Sequence, residues 1–339
     1  MVPRLLFLLL IPTSLLAETA FRLQVRASEI DPKAAGYPEI GFVLEDEKGK
    51  PQDMQHASVD LAVPSRGQLA IWLMAPNQAL FDRINSYGIH AIQVHYARQW
   101  FSLCCQQRPV SPDCRGNLRL EAATGEDHSQ EAAIAPRDSI KGRALALVKH
   151  LARKHPAGQW EQFLNSAETD LIWEKIILCG ASHGSTTAAR LAKHTKVSRV
   201  VALCGPRDQY QNWQALPSAT PKNRFFGFSH VEDIGWQEFH YQRSWEMLGL
   251  HQFGPIVHVD QSKPPYQNTR RLVTDFEVNG NAGRAHSSVT PGKNSLKLPS
   301  GKLAHDPVWE YLFTHPVEQV GQPVPTTNAA AKIKAQKEN

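Results

Sequence analysis

Residues 180–184 read Gly180-Ala181-Ser182-His183-Gly184, a Gly-x-Ser-x-Gly pattern directly behind the apolar run Lys175-Ile176-Ile177-Leu178-Cys179. A helix-forming run, Ser185-Thr186-Thr187-Ala188-Ala189-Arg190-Leu191-Ala192, follows it. A serine on so tight a strand-to-helix turn presents its hydroxyl at the edge of a sheet, where a base can reach it. The flanking glycines leave room for the neighbouring strand and helix. The chemistry this suits is nucleophilic attack by Ser182; the bland alternative is a serine that only caps the helix.

A serine hydroxyl needs an imidazole to take its proton, and the imidazole needs a carboxylate to fix its tautomer. With a Gly-x-Ser-x-Gly turn, the acid follows a later strand and the histidine comes last. Asp233, in Ser229-His230-Val231-Glu232-Asp233 behind the strand expected over 224–228, is the leading acid. Glu232 is its first alternative, and Asp208 in Gly205-Pro206-Arg207-Asp208 is another. Of 15 histidines, His286 fits best: it lies past the last expected strand, behind Asn279-Gly280-Asn281-Ala282-Gly283, among small residues. His305 is expected to open the final helix, and His258 to be packed or hydrogen-bonded. Acyl transfer also needs donors aimed at the developing oxyanion. The backbone N–H of His183 is one; the second is expected from Ala75 or Asn77, since Pro76 between them has no N–H.

These residues resemble the α/β-hydrolase superfamily over about 61–315. The chain is more narrowly similar to a family of exported bacterial hydrolase-like proteins. The matching stretches are Trp173-Glu174-Lys175-Ile176, Gly180-Ala181-Ser182-His183-Gly184, Gly205-Pro206-Arg207-Asp208, Phe225-Phe226-Gly227-Phe228-Ser229-His230, Ala285-His286 and Val308-Trp309-Glu310-Tyr311-Leu312. The resemblance implies the fold and the triad Ser182, His286 and Asp233, and it assigns no substrate. Ala75-Pro76-Asn77 replaces the His-Gly common after the third strand, which makes the oxyanion hole the least defined part of the site. The reading is an exported serine esterase, with no cofactor and no metal, acting on a small-molecule or polymeric ester. The alternatives are a non-catalytic binding protein of the same fold and an acyltransferase.

The elements that must hold these groups are apolar runs at 69–74, 91–96, 175–179, 197–203, 224–228 and 271–278, with helical stretches between them. This alternation predicts an α/β fold, a mostly parallel twisted sheet with helices on both faces. Residues 40–44 and 58–63 are candidates for antiparallel edge strands. Leu80, Phe81 and Ile84 mark one helix; Ile140, Ala144, Leu147, Val148 and Leu151 mark a longer one, capped by Asp138 or Ser139 and stopped by Pro156. Two long excursions, 97–137 and the aromatic-rich 234–270, are either walls of a pocket or simple packing.

Residues 1–17 have the form of a cleaved signal peptide: Arg4, an apolar core over 5–16, and Ala17 before Glu18. The expectation is a secreted or periplasmic protein with no stable membrane insertion, one domain over 18–316 and a disordered tail over 317–339. The slight formal charge of +5, without a basic run, argues against nucleic acid as a partner. Oligomeric state is left open. Five cysteines leave at least one thiol free. Cys104 or Cys105 pairs with Cys114 to close a short loop, or Cys104 and Cys105 pair with each other. Cys179 and Cys204 read as buried thiols, and no cysteine or histidine spacing matches a zinc motif.

Overall fold

The computed structural model describes residues 20–100, 103–104, 111–208, 211–237 and 239–327. The signal-peptide expectation therefore falls outside the described residues. Nine strands form one sheet: β1 Ala20–Arg26, β2 Met54–Asp60, β3 Leu69–Trp72, β4 His90–Gln93, β5 Ile176–Ala181, β6 Arg199–Leu203, β7 Phe225–His230, β8 Ile256–His258 and β9 Arg271–Thr274. Their order is β1-β2-β4-β3-β5-β6-β7-β9-β8. The pairs β1–β2 and β2–β4 are antiparallel, and every later pair is parallel. The expected fold class is the one adopted.

Strands buried on both faces need apolar side chains on both, and β3 shows how they divide. Leu69 and Ile71 join one core cluster, with Leu147, Val148 and Leu151. Ala70 and Trp72 join the other, with Leu80, Phe81, Trp309 and Leu312. The covering helices are α1 Gln78–Ser86, α2 Cys114–Thr124, α3 Ile140–Lys154, α4 His183–His194, α5 His240–Met247, α6 Ala282–Ser288 and α7 Asp306–Thr314. Of the two expected caps for α3, Ser139 serves: its side chain accepts from Gly142 N at 3.2 Å. His155-Pro156 ends the helix, and His305 is the residue that opens α7.

Two expectations need correcting, and one open choice is settled. Residues 40–44 form no strand of the sheet. Pro38–Ile40 is a 3₁₀ turn closed by Gly41 at φ 67°, and Ile40 and Phe42 fill a satellite core with Trp100 and Cys104. The outer edge strand is β1 instead. Residues 317–327 are not loose but are laid along the domain. Val317 O accepts from Asn223 Nδ2 and Arg270 Nη2, Gly321 N donates to Asn268 O, and Val324 N donates to His251 O. Backbone groups of this segment make these bonds, so Pro323 and Pro325 did not forbid them. The cysteine alternatives resolve to Cys104–Cys114, with Cys179 and Cys204 free and buried; Cys105 lies outside the described residues.

Candidate active site

β5 ends at Ala181, and Ser182 turns the chain into α4 with φ 51° and ψ −119°. Such a conformation costs a non-glycine residue on the order of 1–3 kcal/mol, which the surrounding bonds must offset. Ser182 N donates to Leu203 O at 3.0 Å, while Ser182 O accepts from Ser185 Oγ at 2.7 Å and Thr186 Oγ1 at 3.1 Å. The glycines are required by contact. A Cβ on Gly184 would lie 1.6 Å from Leu73 O, and one on Gly180 2.3 Å from Gly184 C. Ser182 so held lines two cavities.

His286 is carried by α6, a short helix whose start is capped by Asn281 Oδ1 accepting from Arg284 N at 2.9 Å. Its Nδ1 lies 2.6 Å from Asp233 Oδ2. Asp233 is wholly buried just past β7; its Oδ1 accepts from Gly235 N at 3.0 Å and its Oδ2 from the Tyr241 hydroxyl at 3.0 Å. The bond to Asp233 first, and the adjoining Cys204 thiol next, push the His286 pKa up to about 10 against the opposing effect of burial. Deprotonation of this imidazole, expected near neutrality, thus moves into the alkaline range. Burial drives the Tyr241 phenol well above its ordinary value, so it stays a donor.

Ser182, His286 and Cys204 together wall both cavities, of about 560 and 300 Å³. Among the described residues no hydrogen bond engages Ser182 Oγ, so the ring shares its cavity walls without being bonded to it. Catalytic hydrogen bonds commonly tighten only when substrate arrives.

The rival acids have other roles. Asp208 is buried and takes both ends of the Arg119 guanidinium, at 2.8 and 2.9 Å, plus Trp213 Nε1 at 2.9 Å. Glu232 is half-exposed, and its backbone N–H donates to His230 Nδ1. Arg119 Nη1 also donates to His183 O at 3.2 Å and lies 3.1 Å from His183 Nδ1. Burial, then Arg119, then Arg98 hold the His183 pKa well below its ordinary value, so this ring is neutral. Ala75 and Asn77 line the smaller cavity beside Ser182. The Asn77 side chain is committed: Oδ1 caps α1 through Leu80 N, and Nδ2 donates to Pro291 O at 2.8 Å. Its contribution to an oxyanion hole would have to be the backbone N–H. Met74, on the same wall, was not singled out from the sequence.

Tyr241 is the main functional residue that sequence reasoning missed. Its hydroxyl reaches both Asp233 and Cys204 O, the latter at 2.9 Å, and its ring lies against Gly235, where a Cβ would come within 2.3 Å. The aromatic excursion that carries it does both things weighed above: Trp245 packs into the core, and Tyr241 lines the larger cavity. Among the described residues one group could hold a divalent cation: Glu126 Oε2 lies 3.1 Å from His128 Nε2 and 3.9 Å from His194 Nε2. It is on the surface, at the opposite end of α4 from Ser182. Glu126 and His128 are two residues apart, but His194 is too distant in sequence for any spacing motif to register.

No family model matches the chain, and no curated protein does. Among solved structures it is similar to esterase B from Lactobacillus rhamnosis, at 11% identity and TM-score 0.44, covering 95% of this chain and 88% of that one. A sugar hydrolase from Lactococcus lactis aligns at 12% identity and TM-score 0.38, covering 88% and 98%. Oligopeptidase B from Leishmania major aligns at 9% identity and TM-score 0.35, covering 94% and 37%. At these scores the superpositions add nothing to the strand order and the serine turn, which are those of an α/β-hydrolase fold.

Proposed function

We propose that this chain is a serine hydrolase that cleaves ester bonds through an acyl-enzyme. Ser182 Oγ attacks the carbonyl carbon while His286 Nε2 takes its proton. Asp233 holds the ring through Nδ1 and stabilises the imidazolium. The N–H of His183 and one from Ala75 or Asn77 receive the negative charge on the carbonyl oxygen. The imidazolium then protonates the leaving alcohol. Water repeats the sequence on the acyl-serine and releases the acid. The chemistry asks for neither metal nor organic cofactor. A leader at 1–17 would direct the protein out of the cytoplasm.

The single observation that carries this reading is the 2.6 Å bond between His286 Nδ1 and buried Asp233, in a ring that shares its cavity walls with Ser182. The second reading, a binding protein without turnover, is favoured by the lack of a bond between Ser182 Oγ and the imidazole. A fluorophosphonate probe and a panel of p-nitrophenyl esters from acetate to palmitate separate the two. Wild type should be labelled at Ser182, and Ser182→Ala or His286→Ala should lower kcat by about 10⁴-fold or more. A folded protein that stays unlabelled at every pH, with wild type no faster than Ser182→Ala, would exclude the hydrolase. Acyl transfer to an alcohol would show in the products.

A further inference from the structure

The two cavities that meet at Ser182 differ in charge. Arg115, Arg119 and Arg207 stand on the wall of the larger, and no carboxylate does among the described residues. On the wall of the smaller, Trp72, Met74, Ala75 and Pro76 are uncharged, and Lys293 is an exposed residue at its edge. The arginines are not equivalent. Arg119 is neutralised by its two-pronged pairing with Asp208. Arg207 has its backbone N–H fixed by Thr186 Oγ1 at 3.0 Å, but none of its side-chain donors is taken up by a described residue. Asp233 cannot serve it, being enclosed by His286, Tyr241 and Gly235.

A half-buried guanidinium that shares a cavity wall with Ser182, with no counter-ion among the described residues, is a strong attractor for a planar anion, whose two oxygens match its fork. We infer that Arg207 receives a carboxylate carried by one half of the substrate, so that the preferred ester is anionic on one side of the scissile bond and uncharged on the other. The placing of that bond at Ser182 rests on the ester-hydrolase reading; the carboxylate site itself does not.

Equilibrium binding tests the site without turnover. Ser182→Ala protein is titrated calorimetrically with monoethyl glutarate (charge on the acyl half), the butyrate ester of lactate (charge on the alcohol half) and neutral ethyl butyrate. One anionic ester should bind about 10- to 100-fold more tightly than the neutral one, the range of a charge-assisted hydrogen bond. Adding Arg207→Gln should erase that preference, Arg207→Lys should keep part of it, and added salt should shrink it. In the wild-type background, the kcat/KM ratio of mono-4-nitrophenyl glutarate to 4-nitrophenyl butyrate reads the acyl-side case. Equal binding of all three esters, or a preference untouched by Arg207→Gln, overturns the inference even if hydrolysis is fast. A preference that depends on Arg207 in a protein that hydrolyses nothing supports the carboxylate site and sinks the hydrolase.

Discussion

Asp233 has a carboxylate with every near neighbour a donor: His286, Tyr241 and the Gly235 backbone. Because it and the Cys204 thiol raise the His286 pKa, the imidazolium persists through neutral pH and the free base appears only as pH climbs toward 10. Ester hydrolysis should therefore keep rising into the alkaline range. The same shift has a stability sign: charge on His286 favours the folded state fully below its ordinary value near 6.5, and this is lost as pH rises through the folded value. In Asp233→Asn the largest cause of the raised pKa is removed, so the pH–rate curve should move to lower pH while its plateau falls about 10³- to 10⁴-fold. Cys204→Ala should move the curve the same way by less. A profile of unchanged position in both variants would show that His286 is not the base. Ser182 and Asp233 stand just beyond β5 and β7, and His286 lies on α6 past β9, so the order of strands along the sequence was enough to mark them as candidates. Tyr241, Cys204 and Arg119 could not be marked so: their contacts depend on packing between segments that no local pattern links, as with Arg119 and Asp208, 89 residues apart.

Helix α2 illustrates what element-level patterning can hide. Its face toward the domain buries Leu118, Leu120, Ala122 and Ala123, but also Arg119 and Glu121, so no clean apolar period marks it. Arg119 is spent on Asp208, and Glu121 accepts from His128 N and Ile134 N. By contrast α1 and α3, with ordinary apolar stripes, were legible. β1 does not register, although Phe21, Leu23 and Val25 alternate with polar residues, because the apolar run over 5–16 lies just before it in the sequence. β8, at three residues, is too short to register. The Cys104–Cys114 bridge ties the start of α2 to the segment before it. Cys114→Ser should lower unfolding free energy by about 2–3 kcal/mol in a urea titration, as expected for so short a closed loop. Since α2 carries Arg119 to the underside of the Ser182 turn, the esterase rate should fall with it. Full stability and full rate in the variant would leave the bridge without a role.

Taken whole, the molecule is closed at one side by residues 317–327, which link the β7 and β9 approaches and α5 through backbone bonds and through Thr327 to Glu246. A chain ending at Pro316 leaves Arg270 Nη2 without Val317 O and Gln319 O and loses several bonds of about 1 kcal/mol each. Its Tm should drop by about 5–10 °C in a calorimetric scan; an unchanged Tm would make the segment a passive trailer. Composition could not announce this, since the bonds are made by main-chain groups indifferent to residue type. The paired cavities have a consequence for traffic. A cleaved ester would leave its two fragments in different rooms that share Ser182, Cys204 and His286 as a common wall, so the alcohol could depart while the acyl group stayed bound. Water could then enter through the vacated room, and a plug that fits only one room would slow release of one fragment without competing for the other.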